Sequence, residues 1–244
     1  MKMPTIANVV KILTASPKPV ICLDTCDILE VVQCLDWEKS DSNTPRMASC
    51  VEPVRRLLDK LYTDANFSQL VITDLVHIEW NQNIGGIRKK AEAFIKKIDD
   101  IVKQTSNAAG FVRTFLPVYP PLVGSTLVAD LVDLSTELLN QATRLNLDNA
   151  LNKRAIERVK KKERPSHDGH VKDSINFEHY LELARCLRAG GYTEEVVFVS
   201  KNKKDYWKGD YPQIHPDLKT QIDDPSVNIK FFGSIEAALG YLNI

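Results

Sequence analysis

Six side chains in this sequence could together handle a phosphate ester: Asp24, Glu79, Asp173, Glu178, Asn202 and Asp205. Asp24 closes the apolar run "VICLD", and Asn202 and Asp205 follow the run "VVFVS", which ends on Ser200. Glu79 lies about a turn and a half into a helix expected after a third run, "QLVIT". Asp173 opens another expected helix, with Glu178 after it. Carboxylates gathered in one place repel each other unless a divalent cation holds them, and an all-oxygen set of carboxylate, amide and water suits hard Mg²⁺ or Mn²⁺. The chemistry that calls for such a set is metal-assisted phosphodiester hydrolysis, in which the cation acidifies a water and offsets the charge developing on the phosphate. Taken singly, each acid has a plainer role. Asp24 and Asp173 could cap helices or sit at their positive ends, Glu79 could be a solvated helix carboxylate, and Asp205 a turn residue. Glu178 stands about 140° round a helix from Asp173, not on the same line. Asp27 reads as an acid favoured by the helix dipole rather than as a ligand.

These residues need elements that bring strand ends together. Val20 to Asp24, 69–73, "EVVFVS" and "NIKFFGS" are short apolar runs, the pattern of strands buried on both faces of a parallel sheet. Helical spacing is expected over 26–36, over 51–62 with Pro53 in the first turn, and from Thr73 or Asp74, as cap, to about Lys103. It is expected again over "TLVADLVDLSTELLNQATRL", the basic "NALNKRAIERVKKKERP", "VKDSINFEHYLELARCLRAGG" with a Gly-Gly C-cap, and "IEAALGYLNI". Strands alternating with helices predict an α/β protein, a three-layer α/β/α sandwich with a central parallel sheet. In such sheets ligands bind in the crevice at the carboxyl ends of the strands. The alternation breaks at about 105–165, where prolines and glycines cluster over 105–125, and this stretch reads as a helical insertion in a single domain spanning 1–244.

Lys plus Arg and Asp plus Glu both total 32, so net charge points to no class of partner and recognition must be local. No apolar run approaches the 18 residues of a membrane span, and "MKMPTIANVVKILTASPKP" does not read as a signal peptide. Five cysteines (22, 26, 34, 50 and 186) without a CxxC pair suit a reducing cytosol better than a disulfide framework or a zinc site. His167 and His170 in "HDGH" read as a solvated loop rather than zinc ligands. The basic stretch 153–164 and the trio Lys201, Lys203 and Lys204 are candidate phosphate contacts, against the plainer reading of solvated faces. Trp80, Tyr206 and Trp207 could stack on bases or pack in the core.

Four stretches also carry a family resemblance. "VICLDTCDILEV" resembles the first motif of PIN domains, and "VITDLVHIEW" resembles their second, with Glu79 as its acid. "GHVKDSINFEHYLE" resembles the third motif of a PIN-like subgroup, with Asp173 and then Glu178. "VVFVSKNKKDYW" resembles that subgroup's fourth motif, Thr/Ser-x-Asn-x-x-Asp-aromatic, matched by Ser200, Asn202, Asp205 and Tyr206. The resemblance covers 18–80 and 165–244 and leaves out 105–165. Cys26 departs from the Asn frequent in the first motif, and Asn202 stands where many PIN domains have Asp.

The resemblance implies a Mg²⁺- or Mn²⁺-dependent endoribonuclease acting on single-stranded or structured RNA. Asp24, Asp173 and Asp205 would hold the metal, Glu79 would position or deprotonate the attacking water, and Ser200 and Asn202 would orient the scissile phosphate or a water. Thr25, Lys201 and Lys203 would contact substrate. The alternative is a PIN-like module that binds RNA or protein without cleaving, which the Asn at 202 supports. A third reading, a small-molecule hydrolase, requires an enclosed apolar pocket. By analogy with the family, the insertion suits a homo-oligomer or a regulatory protein partner.

Overall fold

Every strand expected from an apolar run forms, and all four lie side by side. The computed structural model describes residues 4–35, 46–111, 120–166, 169–209 and 211–243. β1 (Val20–Leu23), β2 (Gln69–Thr73), β4 (Val196–Val199) and β7 (Ile229–Phe232) are joined by β3 (Thr143–Leu145) in one parallel sheet of order β3-β2-β1-β4-β7. Alternate residues of each strand enter opposite cores, as a sheet covered on both faces requires. Ile21, Leu23, Leu70, Ile72, Val197 and Val199 face one core. It is completed by α2 (Thr25–Gln33), α3 (Arg46–Thr63), α4 (Asp74–Phe111), α5 (Leu127–Gln141) and α10 (Ile235–Tyr241). Val20, Cys22, Val71, Val196 and Phe198 face the other, with α1 (Ile6–Ala15), α7 (Val171–Ala189) and α9 (Pro216–Ile222). The result is the three-layer α/β/α sandwich.

The differences from expectation are local. "TRL" does not continue the helix before it but forms β3, pairing Thr143 with Val71 and Leu145 with Thr73. The segment expected as a helical insertion is, where described, built into the body: β3 extends the sheet, and Leu131, Leu138 and Leu139 of α5 enter the first core. α3 begins at Arg46, which puts Pro53 inside the helix rather than in its first turn. α4 continues through Gly85 and Gly86 to Phe111, past the expected end near Lys103. α6 (Asn149–Lys161) packs on α7, whose Gly-Gly end is as expected, Gly191 taking a φ of +79° that a side chain would resist. A single turn, α8 (Lys203–Tyr206), leads into a hairpin of β5 (Trp207–Lys208) and β6 (Tyr211–Ile214) that no pattern announced. Among the described residues no helix is long and apolar enough to cross a membrane, and all five cysteines are free thiols. His167 lies outside the described residues; His170 precedes α7 as its N-cap residue.

Candidate active site

The site begins where β1 stops. Leaving the strand, Asp24 becomes the N-cap residue of α2 and takes the Thr25 N–H on Oδ1 at 2.8 Å. β1 and β4 are in register from Val20 with Val196 to Leu23 with Val199, so the next residues, Asp24 and Ser200, fall side by side. The Ser200 hydroxyl donates to Asp24 Oδ2 at 2.8 Å, and the Cys26 thiol donates to the same oxygen at 3.4 Å. Both Asp24 and Ser200 are buried.

One face of α7 closes the crevice. Residues 173, 176 and 180 recur at helical spacing on that face. The Tyr180 hydroxyl donates to Leu23 O at 2.6 Å and accepts the Thr73 N–H at 3.3 Å, bridging the ends of β1 and β2. One turn earlier, Asn176 donates to Asp24 Oδ1 at 3.4 Å and accepts from the Thr73 hydroxyl at 2.5 Å. Anchored there, α7 carries Asp173 over the crevice. Asn202, the N-cap residue of α8, donates through its amide nitrogen to Asp173 Oδ1 and Asp205 Oδ2, each at 3.0 Å. The Tyr206 hydroxyl holds the Asp173 carbonyl at 3.0 Å, and Arg164 holds the carbonyls of Lys204 and Asp205 at 2.6 and 3.2 Å. Glu79 reaches in from α4: Oε2 accepts from the Thr25 hydroxyl at 2.6 Å, and Oε1 lies 3.0 Å from the Lys172 ammonium.

Electrostatics mark these groups as a cluster. Burial pushes the Asp173 carboxyl up to about 8, and the charges of Asp24 and Asp205, with a smaller effect from Glu79, push the same way against the Asn202 hydrogen bond. Burial also raises Asp24, opposed by its bonds to Ser200 and Thr25. Asp27, expected to be an ordinary first-turn acid, is buried, and burial followed by the charge of Asp24 drives it well above the ordinary carboxylate range.

Asp24, Thr25, Glu79, Asp173, Ser200, Asn202 and Asp205 are thus linked through a hydrogen-bonded network or each other's field. Glu178 is not brought to them: on another face of α7, its buried carboxylate pairs with Arg158 of α6. Lys201 turns toward Glu30, 3.5 Å away, and Cys50, while Lys203 stands over the Trp207 ring at 5.2 Å. Trp80 and Tyr206 are core residues, Trp80 donating to Ser135 at 2.7 Å. Sequence reasoning passed over Asn176 and Lys172. Asn176 could have been found from its place three residues after Asp173, and Lys172 from its place beside Asp173.

The donors suit a hard divalent cation in chemistry and charge. They are oxygen ligands, and among the described residues no Lys or Arg pairs with Asp24 or Asp173. They are not drawn into a finished cage, since no group of three His, Cys, Asp or Glu among the described residues is placed to hold an ion. Four contacts occupy their oxygens instead: Asn202 stands between Asp173 and Asp205, and Thr25 and Lys172 hold Glu79.

No curated protein and no solved structure gives a significant match to the chain. A family model described as PIN domain matches residues 21–206, from β1 to the end of α8 and so across the whole carboxylate cluster. The chain belongs to the PIN domain family.

Proposed function

We propose that this protein is a metal-dependent endoribonuclease whose reaction takes place over Asp24, Asp173 and Asp205. The observation that carries the reading is the convergence of three strand ends and one helix on a set of carboxylates that raise one another's affinity for positive charge. Asp24, Asp173 and Asp205 would hold Mg²⁺ or Mn²⁺, which when bound neutralises their charge and that of the phosphate and makes water more acidic. Glu79, fixed by Thr25 and Lys172, takes the proton of the attacking water as it adds to phosphorus and the bond to the leaving ribose oxygen breaks. Asn202 and Ser200 orient the phosphate from the β4 end, and Asn176 keeps Asp24 aimed into the crevice. A reducing, cytosolic setting is proposed on the cysteine pattern of the sequence, five residues without a CxxC pair.

One observation favours the second reading, a module that binds RNA or a protein without cutting. The Asn202 amide already bridges Asp173 and Asp205, and an Asp there would have added a ligand instead. RNA cleavage by the purified chain with Mn²⁺, compared with Asp24→Asn and Asp173→Asn, separates the two. The nuclease reading expects cleavage, and a loss of about 100-fold or more in each variant. RNA binding without cleavage under any divalent metal selects the second reading, and full activity in both variants refutes the site.

A further inference from the structure

Beyond the crevice, a second surface of the protein carries cations. The basic stretch at 153–164 would be the obvious candidate, but most of its cations are engaged within the protein. Arg154 pairs with Glu182 at 3.1 Å, Arg158 with Glu178, and Lys160 with Glu157 at 2.6 Å, while Arg164 holds backbone carbonyls. A metal at the crevice would serve only the scissile phosphate, so the rest of the strand calls for cations elsewhere.

They stand along the β7 edge of the sheet, where the β5–β6 hairpin packs beside it. A groove of about 640 Å³ runs between the β5–β6 hairpin with α9 on one side and edge strand β7 on the other. Lys208 of β5, Lys219 of α9 and Lys230 of β7 line it, with Ile214, Phe231 and Phe232 as apolar surface. Asp223 is the one carboxylate among the groove's described lining, and Lys219 neutralises it at 2.6 Å, leaving Lys208 and Lys230 in excess. A lysine on an edge strand is commonly a guard against strand addition. Lysines from three separate elements border one groove of mixed polar and apolar lining, an arrangement that suits a phosphate chain on its rim.

Both walls are bonded to the site. Trp207 Nε1 donates to Ser200 O at 3.0 Å, and the Ser200 N–H donates to Phe232 O at 3.1 Å, while the Ser200 side chain holds Asp24. We propose that this groove is the track of single-stranded RNA entering or leaving the carboxylate crevice, with Lys208 and Lys230 on its phosphates; the proposal rests on the nuclease reading.

The test uses the full chain carrying Asp24→Asn, so that RNA survives, and fluorescence anisotropy with a labelled oligouridylate across a salt series. Lys208→Gln with Lys230→Gln should weaken binding about 25-fold at about 0.1 M salt and flatten the log–log salt slope by about 1.4, the value for two phosphate contacts on a single strand. Lys153→Gln, an exposed lysine of the basic helix, should leave affinity within about twofold. Cross-links from a 4-thiouridine oligomer should map to the segment 207–232. If the double variant binds as well as its parent, the groove is not the track and the nuclease reading stands. Cross-links confined elsewhere overturn the proposal too, and leave the β7 edge to a protein strand. If the parent binds no RNA and the wild type cleaves none, the nuclease reading fails and takes the occupant of the groove with it.

Discussion

Asp173→Asn should stabilise the metal-free protein, and the gain should depend on pH. Folding lifts this carboxyl from 3.8 to about 8. Well below pH 3.8 it is protonated in both states and folding costs nothing on its account. As pH rises toward 8, the unfolded chain ionises while the folded chain holds the proton, so stability falls across that window and levels off above it. At pH 7 the part of the difference already present amounts to roughly 4 kcal/mol at 1.36 kcal/mol per pH unit. Asp173 is only half-buried, and solvent screening reduces this to about 2 kcal/mol. Asn carries no charge and can still accept the Asn202 amide, so the variant escapes the penalty. For a chain of this length, about 2 kcal/mol corresponds to roughly 4–8 °C in Tm. Scanning calorimetry in EDTA should therefore find the two proteins alike near pH 4 and the variant ahead by at least that margin at pH 8. Mn²⁺ at pH 8 should raise the wild type and close the gap. A Tm difference that does not change with pH, or a wild type more stable than the variant at pH 8 without metal, would refute the electrostatic account of the cluster.

Asn202→Asp would set a third carboxylate against Asp173 and Asp205, each now 3.0 Å from the amide nitrogen. Metal-free stability should drop by about 2 kcal/mol or more in urea titrations, while calorimetric Mn²⁺ affinity rises. Lys172→Met removes the cation beside Glu79 and should tighten Mn²⁺ several-fold by the same calorimetry; unchanged affinity would mean Lys172 is remote from the ion. Arg158→Met leaves Glu178 buried and unpaired, at a cost of about 3 kcal/mol or more. Adding Glu178→Leu should recover much of that loss, a coupling that urea denaturation of the four proteins measures directly.

The strands were legible because parallel strands buried on both faces leave an unbroken apolar run, and β1 and β4 are buried at every residue. β3 was not, since "TRL" is an edge strand whose first two residues are only half-buried and whose composition runs on from a helix. Asp24, Asn202 and Asp205 were legible as a group because each sits at a strand end or just beyond it, and Glu79 and Asp173 because each lies in the first turns of an expected helix. Glu178 was carried along by motif order, although its 140° displacement from Asp173 already pointed away from the crevice. Arg158 was counted with a solvated basic run. Its spacing from Leu151 and Ala155, which places all three on the buried face of α6, was the signal that distinguished it.

The bond between Ser200 and Asp24 spans 176 residues of sequence, and that from Asn176 to Asp24 spans 152. As the chain emerges from the ribosome, Asp24, Thr25 and Glu79 can meet early, but the wall that encloses them arrives only with α7 and β4. The crevice is therefore a product of the slowest class of contact in folding, long-range parallel pairing. Burial of Asp24 and Asp173 is late in the same way, so the charge repulsion it creates weighs on the native state far more than on any partly folded one.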